Sequence, residues 1–258
     1  MVQCAMRSAR KIFTVSVSLV AAYALAAIAS PDTGRQPQIA EAAAITGTVV
    51  YEGKPPRMRP LPVDADKNCA DLHENAPLMT EWLLLGEGQT VANVFVQVIS
   101  GLPKGKSYPV PETPAEFTQK DCRYAPHVLV LRAGQKLRIL NPDKMQHNVH
   151  AMPKVNREFN KAMAKTHTEI AHVFDKPEPM FRIKCDVHSW MMAYCAVVDH
   201  PFFVVTGEDG AFAIEGLEPG EYEIEAWHEV LGTRRATVTL KEGEGPVVDF
   251  SFTRPQKK

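Results

Sequence analysis

The sequence predicts an all-β protein, because three features recur from Ile45 onward. Short runs of β-branched and aromatic residues follow one another, several of them alternate apolar with polar positions, and Gly or Pro interrupts them at short intervals. Hardly any segment has the apolar spacing of a helix. Regularly spaced strands of this kind indicate sandwich or barrel domains. The clearest runs are "ITGTVVYEG" (45–53), "NVFVQVI" (93–99), "HVLVLRAGQKLRILN" (127–141), "MFRIKC" (180–185), "YCAVVDH" (194–200) and "YEIEAW" (222–227).

The first 29 residues have the pattern of a secretory signal peptide. Basic residues precede an uncharged run over 12–29 that ends in small side chains. We expect cleavage after Ala29; an uncleaved N-terminal anchor is the alternative, because the run is just long enough to cross a bilayer. Both hypotheses place the rest of the chain outside the cytoplasm, in the periplasm or otherwise secreted. Residues 30–44 mix Pro, Gly, Gln and Ala and are predicted to be a linker.

The charge balance gives no indication of a nucleic-acid partner. The whole chain carries 29 basic and 30 acidic residues. Removal of residues 1–29 takes away Arg7, Arg10 and Lys11 and no acidic residue, so 26 basic groups remain against 30 acidic ones, a net charge of −4. No later segment is apolar over enough residues to span a membrane, and the sequence does not indicate an oligomeric state.

A boundary between two β modules is predicted near residues 200–201. Residues 45–200 are expected to form one domain with an N-terminal β extension, in which 153–172 is an excursion with a helical turn. After the boundary, an acidic Gly turn and a Pro-Gly turn separate three strands. Residues 201–258 resemble the carboxypeptidase regulatory-like domain, a small prealbumin-like β-sandwich. A module of this size has a marginal core, so we expect it to pack against the preceding domain.

The segment that carries chemistry reads "KCDVHSWMMAY" at 184–194. It places Cys185, His188 and Met191 in C-x2-H-x2-M spacing. A mononuclear copper electron-transfer site needs one thiolate, two imidazoles and a weak axial thioether, because sulfur favours Cu(I) and imidazole suits both oxidation states. A strand ending at Cys185 and a tight loop would turn all three side chains inward. The second imidazole must come from elsewhere, and His147 follows an Asn-Pro-Asp turn at the start of a predicted strand.

With "HNV" at 147–149 and this short loop, the chain resembles the cupredoxins, the blue-copper proteins related to plastocyanin and amicyanin. The resemblance covers about residues 125–200 and implies a Greek-key β-sandwich with one type 1 copper per chain. It also implies that Asn148 ties the two ligand loops together through backbone hydrogen bonds. The metal ligands that it implies are His147, Cys185, His188 and Met191. A wider resemblance is to secreted bacterial proteins that join a plastocyanin-like domain to a regulatory-like module.

Three alternatives to this ligand set remain open. Cys185 could pair with Cys195 in a disulfide, which would leave His188 as an ordinary surface residue. Zinc could use the same ligands, although structural zinc sites rarely include a thioether. Met192 could replace Met191 as the axial ligand. Neighbouring residues in an extended chain point to opposite sides, so only one methionine can face the metal, and the amicyanin-like spacing favours Met191.

Other residues near the motif have predicted roles of their own. His150 lies three residues past His147 on a strand and faces the other way, so a surface or interface role is expected for it, with metal ligation as the alternative. Trp190, inside the ligand loop, is expected to cover the metal from solvent, with a surface path for electrons as the alternative. His200 and His228 are expected to act as interdomain packing or capping groups.

Cys69 and Cys122 have two candidate uses. An oxidising compartment favours a disulfide between them. Each also has a nearby histidine, His73 or His127, so a Cys2His2 metal site is the alternative, with spacing outside the tight Cys-x2-Cys pattern. If the disulfide forms, Cys195 is left as a buried free thiol.

The sequence therefore predicts a type 1 copper protein that carries single electrons between redox partners outside the cytoplasm. The expected partner is a redox protein that the sequence does not identify. Copper storage or delivery without a redox role is the alternative, favoured by the extra Met and His residues around the motif. We expect no enzymatic activity, because copper oxidases and nitrite reductases need further His pairs and no His-x-His occurs in the chain. A metal-free adhesion module is the remaining hypothesis.

Overall fold

The computed structural model describes residues 43–143, 145–166 and 168–254. The predicted signal peptide and all but the last two residues of the predicted linker lie outside the described residues. Among the helices of the described ranges, none has both the length and the apolar character needed to cross a membrane. The one α-helix in these ranges is α1 (Lys67–Leu72), and 3-10 turns occupy Val63–Ala65 and Glu87–Gln89.

Strands make up most of the regular structure. In chain order they are β1 (Ile45–Glu52), β2 (Phe95–Ser100), β3 (Ala115–Lys120), β4 (Arg123–Ala125), β5 (Val128–Arg132), β6 (Lys136–Leu140), β7 (His147–Ala151), β8 (Phe159–Met163), β9 (Glu169–Val173), β10 (Glu178–Lys184), β11 (Met192–Val198), β12 (Phe203–Val205), β13 (Ala211–Ile214), β14 (Gly220–His228), β15 (Gly232–Leu240) and β16 (Phe250–Thr253). The predicted all-β sandwich class is confirmed.

The first and last strands build one β-sandwich. One sheet has the order β13-β1-β16 and the other β12-β2-β14-β15. Every second residue of β14 is buried from Tyr222 onward, which is the alternation expected of a strand with one face in the core. Side chains from both sheets share one apolar core, among them Val49, Val96, Phe212, Ile224 and Phe252. The two N-terminal strands therefore pair with strands that follow residue 200.

The middle of the chain builds the second sandwich, which contains the predicted metal ligands. Its sheets have the orders β5-β11-β10-β7-β8 and β4-β3-β6-β9. The core between them is apolar and includes Phe117, Leu131, Ile139, Val149 and Ile183. Two of the neighbouring pairs, β5 with β11 and β3 with β6, are parallel, so the chain crosses between sheets rather than turning directly back.

A smaller apolar cluster connects the strands of the two sandwiches. Phe95 of β2 lies in one cluster with Ala196 and Val198 of β11. Tyr194 and Trp227 pack against this cluster, with their ring centroids 5.3 Å apart. The module boundary near residue 200 stays a prediction.

The segment 153–172 differs from its expected form. It holds β8, paired with β7, and most of β9, paired with β6, in place of a helical turn. Ala, Lys and Met in this segment are good helix formers, and pairing with the sheet edges overrides their weak local preference. β8 is exposed along most of its length, which explains why its sequence lacks a clear apolar alternation.

Candidate metal centre

The two predicted ligand loops lie together where β10 ends beside the start of β7. The antiparallel register pairs Ile183 with Ala151 and Lys184 with His150. One more step along each strand brings the residues after Lys184 next to the first residues of β7. Sheet pairing therefore brings together two motifs that are far apart in the sequence.

The loop between β10 and β11 is closed by its own backbone. The N–H of Cys185 donates to the carbonyl of Met191 at 3.1 Å, and the N–H of Met191 donates to the carbonyl of His188 at 2.9 Å. The N–H of His188 points to Cys185 Sγ at 3.3 Å. All three residues are at most 2% exposed. The short spacing of the motif thus produces a tight, buried loop.

Three of the four predicted ligands converge. His147 Nδ1 lies 2.9 Å from His188 Nδ1, and Cys185 Sγ lies 4.0 Å from the same His188 atom. The ligand atoms of these three residues all lie within 4.8 Å of one another, and all three residues are buried. The structure therefore gathers two imidazoles and one thiol in a space that one metal ion could occupy.

Each imidazole has a carboxylate on its outer side. His147 Nε2 lies 2.9 Å from Asp143 Oδ2, and His188 Nε2 lies 3.3 Å from Asp66 Oδ2. An ionised carboxylate only accepts hydrogen bonds, so each Nε2 carries a proton and donates it. In the neutral form of each ring, Nδ1 then faces the centre of the cluster with its lone pair, the arrangement in which imidazole binds a metal.

This donor set fits a cation. Two lone pairs that face each other across 2.9 Å repel unless a proton or a metal ion lies between them. The sulfur of Cys185 adds a third donor that is negatively charged once it is deprotonated. Two imidazole nitrogens and a thiolate suit copper, and they also suit zinc. The residues present therefore match the metal that the motif implies.

Burial and neighbouring groups shift the pKa values of these three residues in different directions. Burial raises the pKa of the Cys185 thiol, but hydrogen bonding with His147 and with nearby backbone N–H groups outweighs it, so the pKa lies below its usual value. Burial lowers the pKa of His147, and Asp143 together with Cys185 reverses this to a net increase. For His188, burial outweighs the opposing effect of Asp66 and the pKa is lowered. The lowered pKa values of Cys185 and His188 favour the thiolate and the neutral imidazole, which are the forms that ligate metals. The raised pKa of His147 favours its protonated form, which must lose a proton when a metal binds.

The two methionines of the loop have different surroundings. Met191 is 1% exposed and packs in the same apolar cluster as Cys185. Met192 begins β11, is half-buried, and lines a small cavity with Trp82 and Glu229. Only Met191 faces the core that holds the thiol. Its assignment as the axial ligand stays a prediction.

Asn148 connects the two ligand loops. Its side-chain Oδ1 accepts the N–H of Asp186 at 2.6 Å and lies 3.2 Å from Cys185 Sγ. The resemblance implied a connection through backbone hydrogen bonds; here the Asn148 amide side chain reaches the backbone of the other loop. Because it contacts the sulfur as well, Asn148 can influence how strongly the thiolate binds a metal.

Trp190 covers one side of His188. The two ring centroids are 5.0 Å apart, and the indole N–H donates to the carbonyl of Cys122 at 3.1 Å. The indole is partly exposed, so it lies between the buried imidazole and the surface. This is the position expected of a side chain that covers the metal site from solvent, and it also fits the alternative, a surface path for electrons.

Of the two uses considered for Cys69 and Cys122, the structure has the disulfide. His73 Nε2 lies 2.9 Å from the carbonyl of Asp121, while His127 is bonded to the carboxylate of Glu229. The two histidines therefore belong to separate contacts and do not complete a Cys2His2 site. Cys185 and Cys195 are both free and buried, so the alternative Cys185–Cys195 disulfide does not form.

Three further histidines of the described ranges lie outside the ligand cluster. His150 Nδ1 is 3.0 Å from Asp186 and its Nε2 is 2.8 Å from Glu158, in a partly exposed position. His200 Nδ1 accepts the backbone N–H of Phe202 at 3.2 Å, and His228 Nδ1 accepts those of Val230 and Leu231. His200 and His228 thus cap local turns.

Sequence reasoning missed Asp66 and Asp143. Asp143 stands four residues before His147 in "NPDKMQH", a spacing that could have suggested a local pair. Asp66 is 122 positions from His188, and no sequence signal connects the two residues. The contact of Asp66 with His188 therefore depends on the fold, whereas that of Asp143 with His147 is local in the sequence.

The site and the fold together define an all-β protein with a buried His2Cys cluster. Comparison with protein families and with curated proteins finds no match. Solved structures of copper proteins are similar to part of the chain. A purple cupredoxin from Nitrosopumilus maritimus shares 20% identity over 33% of this chain and 99% of its own, with a TM-score of 0.28. A mutant of amicyanin in its Cu(I) form shares 18% over 40% and 98%, with a TM-score of 0.30.

A third similar structure corrects one expectation. The copper-containing nitrite reductase from Thermus scotoductus SA-01 shares 17% identity over 39% of this chain, with a TM-score of 0.31. The match spans only 26% of the nitrite reductase. The expectation that this protein is not an enzyme is corrected to this extent: a copper enzyme is among the similar structures, and whether this protein is an enzyme is not shown. These similarities do not show a carboxypeptidase regulatory-like domain, and that resemblance stays a prediction.

Proposed function

We propose that the protein is a cupredoxin-type copper protein that binds one type 1 copper and transfers single electrons outside the cytoplasm. The observation that carries the proposal is the convergence of His147 Nδ1, His188 Nδ1 and Cys185 Sγ within 4.8 Å of one another. The buried Met191 supports an axial thioether. A bound copper ion would supply the one-electron chemistry between Cu(I) and Cu(II).

The residues of this chain would hold the site rigid and dry. Backbone hydrogen bonds fix the loop of Cys185, and carboxylates fix both imidazoles. Trp190 and Asp66 cover the outer side of His188, which is 2% exposed. A rigid site that excludes water changes little when an electron arrives or leaves, and a small rearrangement favours fast electron transfer.

Location outside the cytoplasm is part of the proposal. The disulfide between Cys69 and Cys122 supports it, because such bonds persist in oxidising compartments. The signal-like pattern at the N-terminus is consistent with the same location. The proposed partner is a redox protein.

The experiment compares redox cycling with copper transfer. Metal-free protein is loaded with Cu(II), and bound copper is measured after desalting. The loaded protein is then cycled electrochemically and, separately, mixed with a Cu(I) chelator. Reversible cycling with slow copper transfer supports electron transfer. Rapid transfer with slow or irreversible cycling overturns it in favour of copper storage or delivery.

A matched pair of cysteine variants controls this experiment. Cys185→Ser removes the proposed ligand, and Cys195→Ser changes the other buried free cysteine, which lies on β11 outside the cluster. We expect the Cys195 variant to keep one copper per chain and the Cys185 variant to lose reversible cycling. Equal copper binding and cycling in both variants would show that the site lies elsewhere.

A further inference from the structure

A short segment outside the second sandwich lies against the candidate copper site. Residues 63–73 contain one 3-10 turn and α1, and we call this segment the strap. The disulfide ties Cys69 of the strap to Cys122, in the turn between β3 and β4. His73, at the other end of the strap, binds the carbonyl of Asp121 in the same turn, at 2.9 Å. The strap is therefore fixed to the sandwich at two points.

We propose that Asp66 and Asp143 are positioning residues that hold both imidazoles with Nδ1 toward the metal, and that the strap closes the site so that copper leaves only when the strap moves. The proposal rests on copper binding, the proposed function of the same site. It adds two residues that the sequence motif does not include and a segment that controls access.

Asp143 is held by three hydrogen bonds. Its carboxylate accepts the backbone N–H of Asp121 at 2.6 Å, that of Cys122 at 2.9 Å, and His147 Nε2 at 2.9 Å. Asp121 and Cys122 both have a φ of 56°, a left-handed conformation uncommon for residues other than Gly. This two-residue turn aims its N–H groups at the carboxylate. The Asp143 side chain, 4% exposed, thus has a fixed orientation that it passes on to His147.

Asp66 is held by the helix that it begins. As the N-cap of α1, its Oδ1 accepts the N–H of Asn68 at 2.8 Å and that of Cys69 at a longer 3.5 Å. The other oxygen faces His188 Nε2 at 3.3 Å. Capping orients this carboxylate toward the imidazole. The outer nitrogen of His188 therefore meets the strap instead of open solvent.

The disulfide links the two supports. The N–H of Cys69 points to Asp66, and the N–H of Cys122 donates to Asp143. Each half of the cystine thus contributes to holding one carboxylate, and each carboxylate holds one imidazole. Carboxylates behind ligating histidines fix the tautomer and ring orientation, and their loss typically weakens metal binding about 10- to 100-fold.

The test compares Asp66→Asn with a matched control, Asp71→Asn. Asn caps helices about as well as Asp, so α1 should be retained while the charge facing His188 is lost. Asp71 lies on the same helix, is exposed, and within the described ranges forms its ion pair with Lys67 at 2.7 Å. The control therefore repeats the chemical change without touching the site.

The first measurement uses metal-free, isotope-labelled protein and needs no copper. Nitrogen NMR of the imidazole rings distinguishes the two tautomers of His188. We expect the Nε2–H form in the native protein and in Asp71→Asn, and a shift toward the Nδ1–H form in Asp66→Asn. Identical tautomers in the two variants would overturn the positioning role.

The second measurement is the rate of copper removal by an excess of chelator. We expect removal at least about tenfold faster from Asp66→Asn and from the double variant Cys69→Ser/Cys122→Ser, and an unchanged rate from Asp71→Asn. Equal rates in all variants would overturn closure by the strap. If the native protein binds no copper, the proposed function and the closure both fail, and the tautomers still decide the role of Asp66.

Discussion

The Nδ1 atoms of His147 and His188 lie 2.9 Å apart, although the two residues are 41 positions apart in the sequence. Each ring has its other nitrogen at a carboxylate, which turns both lone pairs toward each other. A folded protein that holds two hydrogen-bond acceptors this close together is stabilised when a cation binds between them. This relationship makes metal binding testable through protein stability.

Copper should raise the melting temperature of the native protein and fail to do so when His188 is replaced by Asn. Binding to the folded state alone adds about 2.7 kcal/mol at a ligand concentration 100 times the Kd. His150→Asn is the control, because within the described ranges the ring nitrogens of His150 bond Asp186 and Glu158, neither of which belongs to the His2Cys cluster. Thermal unfolding with and without one equivalent of copper checks this. An equal temperature rise in both variants would contradict the ligand assignment.

Met191→Gln should lower the reduction potential and shift the visible spectrum while copper is retained. A weak thioether favours Cu(I), whereas an amide oxygen favours Cu(II). Met192→Gln should change the potential and the spectrum little, since Met192 lines a small cavity with Trp82 and Glu229 and is not part of the apolar cluster that holds Cys185. Potentials of the two variants are compared by electrochemistry. A larger shift in the Met192 variant would transfer the axial role to that residue.

Glu178→Gln should reduce the free energy of unfolding by about 1–3 kcal/mol at neutral pH. The Glu178 carboxylate, on a residue 4% exposed, accepts the backbone N–H groups of Lys154, Val155 and Asn156 at 2.7–2.9 Å. Chemical denaturation measures the loss. Glu116→Gln is the control, because Glu116 belongs to an exposed ion pair with Arg138, a type of pair that contributes little.

The hydrogen bonds of Glu178 also predict how its contribution to the free energy of unfolding depends on pH. Burial raises the pKa of Glu178, but the hydrogen bonds it accepts outweigh this, and its pKa in the folded protein lies below the usual 4.5. A carboxylate whose pKa is lower in the folded protein than in the unfolded chain stabilises the folded state at pH values above its unfolded pKa. This stabilisation is lost as the pH falls through the folded pKa. The difference between native protein and Glu178→Gln should therefore shrink below about pH 4. A difference that persists in acid would contradict this cause.

Local patterns predicted the strands and the ligand loop, because both depend on residues close in sequence. Alternation in β14 and the spacing from Cys185 to Met191 fix side-chain directions within a few residues. Asp66 could not be predicted, since its contact with His188 depends on a disulfide and on sheet register. Likewise, β1 pairs with β13 and β16, so the first strand of the described ranges lies beside the last, and no local signal indicates this.

Truncation after Asp199 should yield a protein that aggregates or fails to unfold cooperatively. It removes β12 to β16, which supply every ladder partner of β1 and β2 within the described ranges. Core residues such as Val49 and Val96, both 0% exposed, would then meet solvent. Size-exclusion chromatography and thermal unfolding check the result. A monomer with a sharp transition at the native temperature would show that residues 43–199 fold independently.

The visible absorption spectrum of the copper-loaded protein tests the central claim most directly. A short bond between Cu(II) and the Cys185 thiolate in a trigonal His2Cys site should give an intense charge-transfer band that disappears on reduction. The band should be absent in Cys185→Ser and present in Cys195→Ser. A protein that binds one copper per chain yet stays nearly colourless when oxidised would contradict a type 1 site built from His147, Cys185 and His188.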